Sequence, residues 1–538
     1  MKKHLLLLFL SFVVLSPDVL LQNQYGNAAA LPLYTNSQWI VDENGQRVKL
    51  ACVNWISHLQ PLLAEGLNRQ PLDTISKTIV SMGFNCVRFT WPLFMATNES
   101  LYSLNVRQSF ENLGLNESIG AILVNNPSML NLTVIQAFKA VVDNLGDNNV
   151  MVILDNHISK PGWCCSRTDG NGFFGDTYFD PELWIKGLTQ MATWFNGTTN
   201  VIGMSLRNEL RGSRQNVSVW YKYMQAGAEA IHKANPHVLT ILSGLEFDHD
   251  LSFLHSRQVK LSYSRKLVFE LHWYAFTDGH AWEEGNPNDV CGRIVNTLKS
   301  QSLFVLDQGY PLFLSEFGID LRGGDPNGDR FSNCFFGVAA DLDFDWALWA
   351  FMGSYYLREG YYALNEVYAV LDWDWAKPRN TTFLKRVAGI QSPFRGPGFS
   401  DVRPYNILYH PLTGLCVQKV SPMEPVKLGS CAAAPEAWIY TPQKTLMLNN
   451  GMRYCLQADG VGNGVMLGNA CSGPGSNWYQ ISASKLHLSS KLANGTSVCL
   501  DIDPSYNIVT NTCQCLTGDK TCDPAGQWFK IITSTRRY

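Results

Sequence analysis

Between Arg47 and Gly353 short, nearly continuous apolar runs alternate with longer stretches whose apolar positions recur every three or four residues. The runs Arg47–Trp55, Cys86–Trp91, Val150–His157, Val201–Glu209, Val238–Gly244, Lys266–Tyr274, Tyr310–Gly318 and Phe344–Gly353 predict buried strands. Between them, Leu72–Met82, Val134–Leu145, Pro181–Trp194, Val219–Ala234 and Asp289–Gln301 predict amphipathic helices. Eight buried strands separated by helices predict a parallel sheet, and this number closes a (β/α)8 barrel. A chain segment of about 350 residues is long for that fold, and Asn98–Asn131, after the second strand, is expected to leave it as a surface excursion. An open doubly wound sheet is the alternative, but no Gly-x-Gly-x-x-Gly turn follows the first strand.

Past Gly389 the alternation stops. Pro393, Pro397 and Pro404 mark a boundary, and a strand–turn–Cys plan then repeats, ending at Cys416, Cys455 and Cys499. Each copy closes on a tryptophan, Trp438, Trp478 or Trp528, followed by a short apolar strand. Three β units, none able to bury its own face, predict one joint core. Cysteines recur within the units as 416/431, 455/471 and 499/513, with 515/522 as a fourth local pair.

At the other end, Lys2 and Lys3 precede the apolar run Leu5–Leu15 and the small residues Ala28–Ala30. That order predicts a secretory signal peptide over 1–30, and the run is short for a membrane span. Seven Asn-x-Ser/Thr sequons, at Asn98, Asn116, Asn131, Asn196, Asn216, Asn380 and Asn494, fit a secreted glycoprotein, extracellular or in the cell wall. In that compartment 14 cysteines read as disulfides before metal ligands. Cys52 with Cys86 and Cys291 with Cys334 are further candidate pairs, and a disulfide bracing the loop at Cys164-Cys165 is another. A net charge of −3 gives no support to nucleic-acid binding.

Chemistry enters at the ends of the strands, which share one face in a barrel. Tyr310–Gly318 delivers Glu316 at its end and Val201–Glu209 delivers Asn208 and Glu209; the other ends offer Trp55, Arg88, Asn156-His157, His272 with Tyr274, and Trp349. A carboxylate ending an apolar strand is costly to bury unless paired or working. Singly, a strand-end arginine or histidine is as well read as a structural salt-bridge or core residue, and Trp349 as core; as a set they point to a catalytic rim.

The ordered set Val-Arg-Phe-Thr-Trp-Pro at 87–92, Leu-Asp-Asn-His at 154–157, Leu-Arg-Asn-Glu at 206–209, Leu-His-Trp-Tyr at 271–274, Leu-Ser-Glu-Phe-Gly at 314–318 and Leu-Trp-Ala at 348–350 resembles the glycoside hydrolases of clan A, family 5 in particular, over residues 35–400. The resemblance implies Glu209 as general acid/base and Glu316 as nucleophile, with Asn208 holding the substrate's 2-hydroxyl. It implies Arg88 and Tyr274 flanking Glu316, His157 and His272 lining the cleft, and Trp349 beneath the sugar at the cleavage site. Arg88 near Glu316 is expected to hold it ionised. Trp163 is open between a sugar subsite and loop packing. No metal or organic cofactor is needed, because two carboxylates suffice.

The C-terminal repeats resemble the ricin B-type β-trefoil, although the Gln-x-Trp of that family survives only as the adjacent Gln527-Trp528. Its sugar-gripping Asp is matched by Asp501, open between ligand and turn residue, whereas the first unit has Gln418 there. The expectation is therefore multidomain: signal peptide 1–30, (β/α)8 barrel 31–400, trefoil lectin 405–538. The expected function is a secreted retaining glycosidase of β-glucan or β-mannan polysaccharides, with a carbohydrate ligand at the trefoil. Alternatives are a carbohydrate-binding protein without activity, or a glycosidase of glycolipid or glycoprotein glycans.

Overall fold

The computed structural model describes residues 29–399, 403–419, 421, 424–431, 436–449 and 453–536; most of the expected signal peptide lies outside them. Eight parallel strands close a barrel: β1 (Ala51–Trp55), β2 (Cys86–Pro92), β3 (Met151–Ile158), β4 (Val201–Ser205), β5 (Leu239–Leu242), β6 (Leu267–His272), β7 (Leu312–Phe317) and β8 (Asp345–Leu348). β8 pairs with β1 to complete the ring, and the buried pairs Lys49–Asp343 and Arg47–Asp345 tie the approaches to these two strands together.

Helices α1 (Leu72–Ser81), α2 (Val134–Asp147), α3 (Pro181–Trp194), α4 (Val217–Ala234), α5 (Pro287–Leu298) and α6 (Pro326–Leu342) form the outer layer, with α7 (Thr381–Ala388) after β8. Their starts follow capping chemistry: Thr133 and Gln136 form a capping box at α2, and Asp180 caps α3 with Pro181 at its first position. Between β5 and β6 the described chain has only the 3-10 turn Ser252–His255 in place of a helix. The stretch 98–131, expected as a surface excursion, lies on the surface as a layer of short helices packed against the barrel. Its short helices bury Phe110, Ile122, Met129 and Leu130 in the main core.

The predicted strands run long at their ends. β4 stops at Ser205, so Asn208 and Glu209 lie on the turn beyond it, and β8 stops at Leu348, before Trp349. Arg88 is not at a strand end but is the third of seven residues in β2, deeper in the barrel. Trp55, expected on the rim, packs outward with Phe89 and Phe351; its neighbour Asn54 points inward and bonds Arg88. Side chains alternate faces along a strand, so the inward set on β1 is that of Asn54.

From Tyr405 to Ser534 the described chain is antiparallel β, twelve short strands in an eight-stranded and a four-stranded sheet. Trp438, Trp478 and Trp528 are all buried. Cys416–Cys431, Cys455–Cys471, Cys499–Cys513 and Cys515–Cys522 are bonded as expected, as are Cys52–Cys86 and Cys291–Cys334. Cys164 and Cys165 bond to each other.

The two domains share a seam. Trp528 donates its indole N–H to Asn288 Oδ1 at 3.0 Å, and Asn286 and Asn288 donate to the carbonyl of Cys515. Arg386 of α7 donates to the Pro411 carbonyl, and Lys530 pairs with Asp341. Ile407, Tyr409, Leu486 and Trp528 belong to the same contiguous hydrophobic core as the barrel.

Candidate active site

Arg88 organises the barrel mouth from below. Its guanidinium is fully buried; Nη1 donates to Glu316 Oε1 at 2.9 Å and to Asn54 Oδ1 at 3.0 Å, and Nη2 to Asn208 Oδ1 at 2.9 Å. Asp155 at 3.1 Å and Glu270 at 3.6 Å complete its surroundings. One fixed fork thus links the ends of β4 and β7, a geometry that a lysine's point charge cannot reproduce.

Glu316, near the end of β7, receives a second donor on its other oxygen: Tyr274 OH at 2.9 Å from Oε2. His272 Nδ1 stands 3.1 Å from Glu209 Oε1 and 3.7 Å from Glu316 Oε2. An oxygen of Glu209 and an oxygen of Glu316 lie within 4.8 Å of one another. Glu209 sits at φ 47°, in the left-handed region, a costly conformation for a glutamate. Its backbone is held there from both sides: the N–H donates to Asp248 Oδ2 at 3.1 Å and the carbonyl accepts from Arg211 at 2.7 Å.

Burial dominates the acidities. It pushes Glu209 up to about 7 against the pull of Arg211 and Arg88. It also pushes Glu316 up to about 7 against His272 and Arg88, with Glu209 adding repulsion. Arg88 stands against Glu316 as expected and favours its ionised form, but the guanidinium is shared among several acids, and desolvation outweighs its pull. Beneath the pair, burial raises Asp155 to about 6 and raises Glu270 and Asp248. Burial lowers His58, His157 and His272, so these rings are neutral near pH 7.

The other predicted residues divide. His157 is bonded through Nδ1 to Asp155 at 2.7 Å and stacks between His58 and Trp349, giving three flat rings in a row beside the carboxylates. Trp163 is half-buried, with Arg358 over its ring at 3.4 Å and Tyr355 edge-on, so packing engages part of its surface. Asp501 lies on the β domain, on a strand of its four-stranded sheet. Its carboxylate accepts from Ile502 N–H, Asn511 Nδ2 and Gln527 Nε2 within the third β unit.

Sequence reasoning missed Asn54, His58, Asp155, Asp248 and Glu270. Two were within reach: Asp155 precedes His157, and Glu270 precedes His272, by two residues, so each pair shares a strand face. Asp248 lies on an irregular loop with no such signal. His157 with Cys164 and Cys165, Glu209 with His272 and Glu316, and Asp248 with Glu270 and His272 bring donor atoms together as in metal sites. In the second set His272 already lies between the two glutamates, in the third it stands 3.4 Å from Asp248, and the sulfurs of the first are bonded to each other.

A family model described as cellulase (glycosyl hydrolase family 5) matches residues 41–354. A glycosyl hydrolase 5 family protein of Chamaecyparis obtusa is 45% identical over 526 residues, 94% of each chain. An endoglucanase of Paenibacillus polymyxa is 25% identical over 225 residues, 40% of this chain and 50% of its own. Among solved structures, an endocellulase of Pyrococcus horikoshii in complex with cellotetraose aligns with TM-score 0.54 at 18% identity, covering 67% of this chain and 99% of its own. The catalytic domain of the major endoglucanase of Xanthomonas campestris aligns with TM-score 0.53 at 17% identity, covering 67% and 99%. This chain belongs to glycosyl hydrolase family 5 and is a glycosidase.

Proposed function

We propose that the protein hydrolyses β-linked glucan or mannan-type polysaccharide within the chain, with retention, through Glu316 as nucleophile and Glu209 as acid/base. The observation that carries this is the approach of their carboxylate oxygens to within 4.8 Å. Retaining enzymes need carboxyl groups about 5–5.5 Å apart, whereas inverting ones leave about 6.5–9.5 Å for a water.

The protonation state follows from the donors. Both acids titrate near neutrality, but each oxygen of Glu316 already receives a donor, from Arg88 and from Tyr274. Those bonds favour its carboxylate, so the pair loses its first proton from Glu316 and keeps the second on Glu209. Glu316 then attacks the anomeric carbon while Glu209 protonates the leaving oxygen. Once the glycosyl ester removes the charge of Glu316, Glu209 loses that repulsion and takes a proton from the attacking water. Asn208, held by Arg88, receives the 2-hydroxyl, and Trp349 with His157 forms the flat floor.

For the β domain, four strands per unit in three units, each with a buried closing tryptophan and its own disulfide, support a ricin B-type trefoil. Carbohydrate binding there is assigned to the third unit, where Asn511 and Gln527 hold Asp501. Exposed asparagines at six of the seven sequons and seven disulfides support a secreted protein.

The test is a panel of β-glucans, mannans and aryl β-glycosides, with the anomer of the first product followed by NMR. Release of the β-anomer by wild type and its loss in Glu316→Ala support the reading; an α-anomer, or no turnover across the panel, overturns it. The second outcome would favour a carbohydrate-binding protein.

A further inference from the structure

The Cys164–Cys165 bond lies against the reacting centre. Cys164 is buried and Cys165 half-buried. The amide nitrogen of Asn208 stands 3.8 Å from Cys164 Sγ and 3.5 Å from Cys165 Sγ. The other end of the same amide is the oxygen that accepts from Arg88 Nη2. A ring nitrogen of His157 lies within 4.8 Å of both sulfurs.

Chain bracing does not account for this bond. The stabilisation a disulfide provides grows with the loop it closes, and here the bonded residues are adjacent. The surrounding loop is fixed by other means. Arg211 holds the Ser166 carbonyl and Asp169, Arg207 holds the Asn171 carbonyl, and Asp176 accepts from Gly172 and Phe173 N–H.

What the bond does supply is a stiff pair of weak acceptors facing one amide. Sulfur accepts hydrogen bonds weakly, so it orients the Asn208 NH2 without competing strongly with an incoming hydroxyl. A carbonyl or carboxylate in the same place would hold that NH2 and take it from the substrate. Joined to each other, the two sulfurs also lose the rotamer freedom that separate side chains would have.

We propose that the Cys164–Cys165 disulfide is a positioning element for the reaction: it fixes the rotation of the Asn208 amide so that its N–H is presented to the 2-hydroxyl of the sugar being cleaved. The proposal rests on the assignment of Asn208 to that hydroxyl, and the two are separable by experiment.

The experiment compares an aryl β-cellobioside with its analogue lacking the 2-hydroxyl on the reacting sugar, using the full-length protein. In Cys164→Ser/Cys165→Ser, kcat/KM should fall roughly tenfold or more on the 2-hydroxy substrate, since small misplacements can cost up to about a hundredfold. It should fall less than about twofold on the deoxy substrate, where that contact does not exist. Asn208→Ala, measured in parallel, should show the same substrate dependence. Equal losses on both substrates in the cysteine variant, or none on either, overturn the proposal when Asn208→Ala keeps its dependence. Equal losses in Asn208→Ala overturn the Asn208 assignment and the proposal with it. Should the double variant fail to fold, Cys165→Ala alone breaks the same bond and gives the same comparison.

Discussion

Arg88 reaches Glu316 from the interior of the barrel, Nη1 standing 2.9 Å from Oε1 with the guanidinium wholly buried. Asp155 and Glu270 press on the same group from the other side. Removing one partner of a buried ionic network leaves uncompensated charge and costs about 3–5 kcal/mol. Arg88→Ala is therefore expected to lower stability by that order as well as abolishing turnover. Thermal melts and kinetics on one preparation check both, and an unchanged melting temperature would show that the acids carry no charge in the native state.

The raised pKa values of the two glutamates give a pH profile with a definite sign. Activity needs the proton on Glu209, whose burial sets it at about 7, so kcat/KM should fall on the alkaline side of neutrality. Glu209→Gln should remove that limb on an activated aryl glycoside, which needs no acid assistance. Stability follows the same groups. A carboxyl raised in the folded state from its ordinary 4.5 contributes stability that is present below 4.5 and is lost as pH rises through about 7. The melting temperature of wild type should thus decline between about pH 4.5 and about 7, and less so in Glu209→Gln.

Glu209→Ala should cost about 10²–10⁴-fold in kcat/KM on a substrate with a poor leaving group, and far less on a dinitrophenyl glycoside. Added azide should restore turnover of the latter by attacking the glycosyl-enzyme in place of water. NMR of the product distinguishes the routes: a β-glycosyl azide agrees with retention through Glu316, an α-azide contradicts it.

Asp501→Ala should weaken retention of the full-length protein on insoluble polysaccharide while leaving aryl glycoside turnover within twofold, because Asp501 makes its bonds wholly within the third β unit. Pull-down and kinetics separate the two. A variant that binds as well as wild type would make this Asp a turn residue only.

The barrel was legible because its strands, buried on both faces, are unusually apolar, and because residues of the rim stand near their ends. The two glutamates were legible for the same reason. Less legible was anything that depends on strand parity or on loops. Asn54 was masked by the more conspicuous Trp55 beside it, although alternation sends the tryptophan outward. Asp248 acts through the backbone of Glu209 from a loop of three consecutive left-handed residues, Glu246, Phe247 and Asp248, which no periodic pattern encodes. The burial that raises the pKa of Glu316, and the sharing of Arg88 among several carboxylates, appear only once the strands are closed into a ring.

The seam around Asn288 and Trp528 bears on how the proposed binding at the β domain would be related to cleavage in the barrel. A binding module on a flexible tether lets its enzyme sweep a disc of surface around each anchor point. Here the hydrogen bonds of Trp528, Asn286 and Arg386 and a common hydrophobic core leave no such sweep. A sugar gripped near Asp501 would lie at one constant offset and heading from the Glu209–Glu316 cleft, so the molecule would cut at a set distance from where it holds, as a gauge does. Lengthening the chain around residue 403 would not loosen that setting, since the clamp is made by side-chain contacts of Trp528, Asn286 and Arg386 and not by the linker. Prising the seam open with Asn288→Arg would.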